Sequence, residues 1–299
     1  MKIAYCITAY NNFIHLERLL NKILNNNLDE NSVFLHVDKK VNLPSSILDI
    51  FSNNERITIV QDHIIWWGGW SHQQAILDLL KMAKNKNKFE KYVIMSGQDY
   101  QVCSDRYLHD TLNSKFSFMN ILEGFHPSKP EWRINKIHFE GFDRRNNKSI
   151  KTILMKSVEK LIYIFYKNKK YPFDKIYHGS TWCIISNEAL EYIFKYIDEN
   201  PRFISFYKKT WCAEESFLFT ILGNSPLGKD IRPGVFYTDW NGPNPPIVLN
   251  KTHVELFIRG CTFKNDTYQC EYKALFARKF NDNSKSILDL LDAHQLSKK

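Results

Sequence analysis

The sequence predicts an α/β fold with a parallel, Rossmann-like sheet in its first part. Two observations carry that expectation. Strand-like and helix-like runs alternate through the first hundred residues, and the strand-like runs end in short polar or glycine-containing loops. A third bounds the size. The 299 residues, 43% hydrophobic and 14% aromatic, supply a large core, and no linker or internal repeat divides them.

The elements follow in order. "KIAYCITAY" is a first apolar run of strand character. "FIHLERLLNKIL" puts Phe13, Leu16, Leu19, Leu20, Ile23 and Leu24 on one helical side. "SVFLHVD" and "ITIV" read as strands, "SHQQAILDLLKMA" as a helix, and "KYVIMSG" as a fourth strand. The second part is less regular. "FSFMNIL" and "STWCIIS" read as strands, "NEALEYIFKYI" and "EESFLFTIL" as helices, and "GVFYTDWNGPNPP" as a strand entering a Pro/Gly loop. One domain over 1–299 is expected, with a nucleotide half over about 1–115 and an acceptor half over about 116–299.

Several classes are excluded or disfavoured. The opening "MKIAYCITAYNNF" is too short and polar for a signal peptide, and no run of about 18 apolar residues forms a span. The six cysteines form no CxxC pair, which argues against zinc; several sit in apolar runs, which suits reduced thiols and a cytoplasmic location. The net charge of +9 is local. Between Asp143 and Lys170 nine basic residues face two acidic ones, so no nucleic-acid partner is expected.

In a parallel sheet, ligands sit at the carboxyl ends of the strands. Here those ends read "TAYNN", "HVDKK", "WWGGWS" and "SGQDY". Asp38 is either a turn residue or an acid meeting a base or ribose. The tryptophans of "WWGGWS" either pack in the core or wall a ligand; Gly68 and Gly69 permit close backbone approach, and Ser71 is placed to cap the next helix. No GxGxxG or GxxxxGK[ST] motif occurs, and no Asp-x-Asp that would hold a metal on a sugar nucleotide. Arg278 and Lys279 in "LFARKF" offer an alternative counter-charge. Glu214 and Glu215 stand at the head of an apolar helix. Either they complement its dipole or one of them works. Adjacent helical residues point about 100° apart, so two carboxylates in one site are not expected.

The ordered series "HVDKK … WWGGWS … SGQDY … GSTWCIIS … EESFLFTILGNSP … YTDWN … LFARKF" resembles the core-2/I-branching β-1,6-N-acetylglucosaminyltransferase family, which also holds the protein O-xylosyltransferases. The resemblance runs from Ile3 to Phe280. It implies a GT-A-type fold, an inverting mechanism, a UDP-sugar donor, and no cofactor or metal. The family's base, five residues before the helix threonine Thr220, falls on Glu215, with Glu214 in a supporting position. Arg278 and Lys279 match the diphosphate-binding residues. Asp38 with Ala9 and Tyr10 matches the uridine pocket, walled by Trp66 and Trp67. Thr181 and Trp182 match donor-site residues, and Trp240 an acceptor-stacking tryptophan. Without the membrane anchor, stem and disulfides of animal relatives, the chain resembles a bacterial member. UDP-N-acetylglucosamine is the first donor expected and UDP-xylose the second, with a bacterial surface glycan, free or lipid-linked, as acceptor. A glycan-binding module that kept the fold without activity is the alternative of another class. Residues 120–145 are the expected acceptor surface.

One segment falls outside this scheme. In "SIKTILMKSVEKLIYIFY", Ile150, Ile153, Leu154, Val158, Leu161, Ile162 and Phe165 recur at helical spacing, with Lys151, Lys156, Lys160 and Lys167 on the remainder. The pattern fits a helix packed on the core by its apolar face. It also fits a peripheral contact of residues 150–170 with the inner face of a membrane.

Overall fold

The computed structural model describes residues 1–51, 54–165 and 171–297. Its first strand, β1 (Lys2–Ala9), is buried on both faces. Successive strand side chains point to opposite sides, so Ile3, Tyr5 and Ile7 enter one hydrophobic cluster and Ala4 and Cys6 the other. Helix α1 (Phe13–Leu24) covers the first cluster with Leu16, Leu19, Leu20 and Ile23. Strand β2 (Glu30–Val37), helix α2 (Ser45–Phe51) and strand β3 (Ile57–Val60) follow. Helix α3 (Trp70–Lys86) covers the second cluster with Ile76, Leu79, Leu80 and Ala83 before β4 (Lys91–Ser96). These four strands run parallel in the order β4-β1-β2-β3, as expected for the first part.

The next stretch contains β5 (Asp99–Gln101), α4 (Asp105–Leu112), β6 (Ser117–Phe118), β7 (Ile121–Glu123), α5 (Trp132–Asn135) and α6 (Ile150–Phe165). Then come β8 (Tyr177–Gly179), β9 (Cys183–Ser186), α7 (Asn187–Glu199), α8 (Pro201–Tyr207) and α9 (Phe217–Gly223). The chain closes with β10 (Ile231–Arg232), β11 (Phe236–Thr238), α10 (Lys251–Ile258), β12 (Thr262–Asn265), β13 (Cys270–Lys273), β14 (Phe276–Arg278) and α11 (Lys285–Leu296).

The main sheet has seven strands in the order β10-β6-β9-β4-β1-β2-β3, and β9 runs antiparallel to both β4 and β6. The sheet as a whole is therefore mixed, and it draws strands from both halves of the chain. The run 116–122 is not one strand. β6 joins the main sheet, whereas β7 pairs antiparallel with β8 in a separate two-stranded sheet. The strand expected over 180–186 begins only at Cys183.

The helix expected over 214–222 is also shorter. Cys212 adopts a left-handed conformation (φ 52°), Ala213–Glu215 form a 3-10 turn, and Ser216 (φ −140°) interrupts the chain before α9. Glu214 and Glu215 thus lie outside the α-helix.

Helix α6 does not pack on the core by its apolar stripe, the first of the two arrangements its pattern fits. Thr152 and Glu159 are buried, while Ile150, Ile153, Leu154, Leu161 and Ile164 are exposed. The cause is polar fastening. Glu159 accepts the Phe139 N–H (2.6 Å) and pairs with Arg144, and Thr152 donates to the Asp143 carbonyl (2.9 Å). Lys167 lies outside the described residues. No described helix is long and apolar enough to cross a membrane.

Candidate active site

The carboxyl ends of β1, β2 and β4 open into a cavity of about 1000 Å³. Ala9 ends β1 and Tyr10 follows it, Asp38 follows β2, and Ser96 ends β4 ahead of Gly97 and Gln98. Trp66, Trp67, Thr181, Trp182, Glu215, Trp240, Arg278 and Lys279 also line it, so the residues that the resemblance assigns to catalysis, donor and acceptor meet in one space. A smaller cavity of about 220 Å³, lined by Cys103, Phe257, Lys273 and His294 among others, contains no carboxylate.

The glutamates reach this cavity because of the 3-10 turn. Both line it, against the expectation from α-helical spacing. Lys129 Nζ and Arg133 Nη1 both donate to Glu215 Oε2. Oε1 has no hydrogen-bond partner among the described residues. Glu214 is more enclosed. Its Oε1 lies 3.7 Å from His72 Nδ1, and its buried Oε2 is unpaired among the described residues. His72 Nε2 in turn lies 3.2 Å from the Thr8 hydroxyl.

The turn itself is held by buried hydroxyls. Ser216 Oγ donates to the Tyr177 carbonyl (2.9 Å), and the Tyr207 hydroxyl contacts both Ser216 and Thr220 at 2.9 Å. Such a network, fully buried and satisfied, fixes one geometry for the carboxylates ahead of it.

Elsewhere along the cavity, antiparallel register sets Arg278 across from Asp99. The guanidinium and carboxylate are 3.0 Å apart, and Arg278 also stacks 4.7 Å from the Trp182 ring centroid. Burial pulls Arg278 below its ordinary value, opposed by the Asp99 charge; burial raises Asp99, opposed by Arg278. Arg278 thus faces a buried carboxylate as well as the cavity. Lys279 makes no ion pair among the described residues. Burial first, then the neighbouring Arg278 and Arg145 cations, push it below its ordinary value.

The tryptophan loop divides its roles. Trp70 is buried against Phe217. Trp66 and Trp67 line the cavity, with Lys40 over Trp66 (4.8 Å) and Arg145 over Trp67 (4.4 Å). Gly68 (φ +74°) lies so close to Trp211 that a Cβ would fall 2.5 Å from the ring. Its carbonyl accepts the Cys212 N–H (2.8 Å), which ties this loop to the glutamate turn. Ser71 does not cap α3 as expected, because the helix starts at Trp70 with Gly69 in the capping position. Its hydroxyl accepts the Trp66 N–H (2.9 Å), and Glu140 accepts the Ser71 N–H (2.6 Å) instead. Asp38 serves the turn, accepting the Lys40 N–H (3.0 Å) and lying beside Ile65 N, while also facing the cavity.

Sequence reasoning missed Lys129, Arg133, His72, Asp99 and Arg145. The first two and Arg145 fall inside 120–145, but nothing in that stretch distinguishes a cavity cation from a surface one. Asp99 was visible only as the acid of "SGQDY". No group of three or more His, Cys, Asp or Glu placed to hold a metal ion occurs among the described residues.

A family model described as core-2/I-branching enzyme matches residues 3–263. The chain is 24% identical over 312 residues to xylosyltransferase 2 of Mus musculus, covering 98% of this chain and 34% of that protein. It is 23% identical over 313 residues to xylosyltransferase 2 of Rattus norvegicus, with the same coverage. The chain spans about a third of the length of the curated relatives it matches. Among solved structures, S. aureus TarS 1-349 in complex with UDP aligns with a TM-score of 0.32 at 13% identity, over 64% of this chain and 48% of that one.

Proposed function

The chain belongs to the core-2/I-branching enzyme family, and on that premise we propose that it is an inverting glycosyltransferase that uses a UDP-sugar without a metal ion. One observation carries this reading. A single cavity holds a carboxylate with one unengaged oxygen and, on another wall, a cluster of cations suited to a diphosphate.

The chemistry follows from those residues. An acceptor hydroxyl gives its proton to Glu215 Oε1 as its oxygen attacks the anomeric carbon. The bond from that carbon to the β-phosphate oxygen breaks, and the charge passes to UDP. Lys279 meets that charge, with Arg278 and Arg145 beside it; fixed cations in an enclosed site do the work a metal would do elsewhere. Lys129 and Arg133 hold the other Glu215 oxygen and set its orientation. Glu214, directed at His72, supports the site and does not act as the base. Asp38, Ala9 and Tyr10 hold the uridine, Trp66 and Trp67 wall it, Thr181 and Trp182 face the donor sugar, and Trp240, exposed at the rim, stacks on the acceptor.

UDP-N-acetylglucosamine is the proposed donor and a bacterial surface glycan the acceptor. A second reading, UDP-xylose, is favoured by the similarity to xylosyltransferase 2. The test is a panel of UDP-sugars in EDTA, read by thermal shift and by mass spectrometry of the product. Stabilisation and transfer with one UDP-sugar support the proposal. Binding without any transfer or hydrolysis favours an inactive glycan-binding module.

A further inference from the structure

Five of the eighteen large apolar side chains exposed among the described residues lie on α6 alone: Ile150 (83%), Ile153 (54%), Leu154 (61%), Leu161 (58%) and Ile164 (63%). At about 100° per residue they fall within a stripe roughly 100° wide. A solvated helix normally turns such a stripe inward. Here the two described side chains of the helix that are buried are polar, Glu159 and Thr152, and they fasten the opposite side.

Charge identifies what fits the stripe. Lys156 and Lys160 flank it on one side and Lys151 on the other, all exposed and none paired with a carboxylate among the described residues. The only acid on the helix, Glu159, is buried against Arg144. We propose that α6 lies in the plane of an anionic lipid surface, with its stripe among the acyl chains and its lysines on the headgroup phosphates. Lysine stems can bury their methylenes while the ammonium reaches the phosphate layer. A second copy of the chain fits less well, because antiparallel stripes would bring lysine rows together.

The placement also bears on the cavity. Arg144 pairs with Glu159 beneath the stripe and itself lines the cavity wall, stacked 4.8 Å from Trp211. Docking α6 would therefore hold the cavity beside a lipid surface. Vesicle binding needs neither donor nor acceptor, so it stands apart from the transfer chemistry.

The test is co-sedimentation of the full chain with phosphatidylcholine vesicles, with and without phosphatidylglycerol. Binding is expected to the phosphatidylglycerol vesicles and to be released at high salt, since screening weakens headgroup contacts. The double substitution Ile153→Glu with Leu161→Glu should abolish binding without lowering the melting temperature, because both side chains are already exposed. Lys151→Gln with Lys160→Gln should weaken binding about tenfold or more. Equal binding to both vesicles, no binding to either, or retained binding by the Glu variant overturns the proposal. So does a wild-type dimer that the Glu variant converts to monomer in the absence of vesicle binding, which would assign the stripe to a second copy.

Discussion

Lys129 and Glu215, 86 residues apart in sequence, form an ion pair in the lining of the cavity. Both Lys129 and Arg133 engage the same carboxylate oxygen. On the proposed mechanism this asymmetry leaves one oxygen to receive a proton and makes the cations positioning residues for it. Arg133→Met should release the carboxylate from one of its two holders. The turnover is expected to fall by about tenfold, with UDP affinity unchanged, as isothermal titration and initial rates would record. A loss of UDP affinity equal to the loss of turnover would instead place Arg133 on the donor.

The leaving diphosphate makes a second test. Arg278 is committed to Asp99, whereas Lys279 and Arg145 have no carboxylate partner among the described residues. Lys279→Ala and Arg145→Ala are each expected to weaken UDP binding by about tenfold, the scale of one charge-assisted contact. Chelators should leave the wild-type affinity unchanged. Arg278→Ala should also lower the melting temperature, because it strands the buried Asp99 carboxylate.

The same lysine gives the site a pH dependence. Lys279 sits below its ordinary 10.5 through burial and neighbouring cations. Its charge is lost as pH rises through that lowered value. UDP affinity is therefore expected to decline on the alkaline side earlier than a solvent lysine would allow, with Lys279→Arg removing the decline. Affinity that stays flat for wild type and Lys279→Arg alike up to the ordinary lysine range would detach Lys279 from the diphosphate.

How much of this was legible in sequence depends on the length of the signal. β1, α1, α3 and β4 could be read because eight or more residues, or a full apolar strand, repeat one period. The turn at Ala213–Glu215 could not, because it depends on a left-handed Cys212 and a Ser216 held by Tyr177 and Tyr207 from distant elements. The apolar period of α6 is legible in the sequence, but the choice between an inward and an outward stripe is not. Two buried polar contacts, Glu159 to Phe139 and Thr152 to Asp143, turned the stripe outward, and no periodicity encodes such partners.

Gly68 links two walls of the site. With φ at +74° and the Trp211 ring where a Cβ would go, Gly68→Ala must strain the backbone and displace the ring. A loss of about 1–3 kcal/mol is expected in denaturant titration. A neutral effect would show that the ring moves freely and that the loop does not fix the glutamate turn.

Acid should destabilise the fold through His15. This histidine is buried, with Nε2 3.1 Å from the Asp99 carbonyl, and burial lowers it from 6.5 to about 4. The unfolded chain takes up the proton first. Its contribution is thus complete above about pH 6.5 and is lost as pH falls toward 4, by up to about 1.4 kcal/mol per pH unit. His15→Gln should flatten the slope of stability against pH in that window. An unchanged slope would assign acid sensitivity to other groups.

The most direct measurement of the central claim is UDP release from the transferred UDP-sugar in EDTA by wild type, Glu215→Gln and Glu214→Gln. The account predicts release by wild type. It predicts a loss on the order of 10²- to 10⁴-fold for Glu215→Gln with UDP affinity retained, and a much smaller loss for Glu214→Gln. Release by Glu215→Gln at the wild-type rate, with Glu214→Gln inactive, would contradict it.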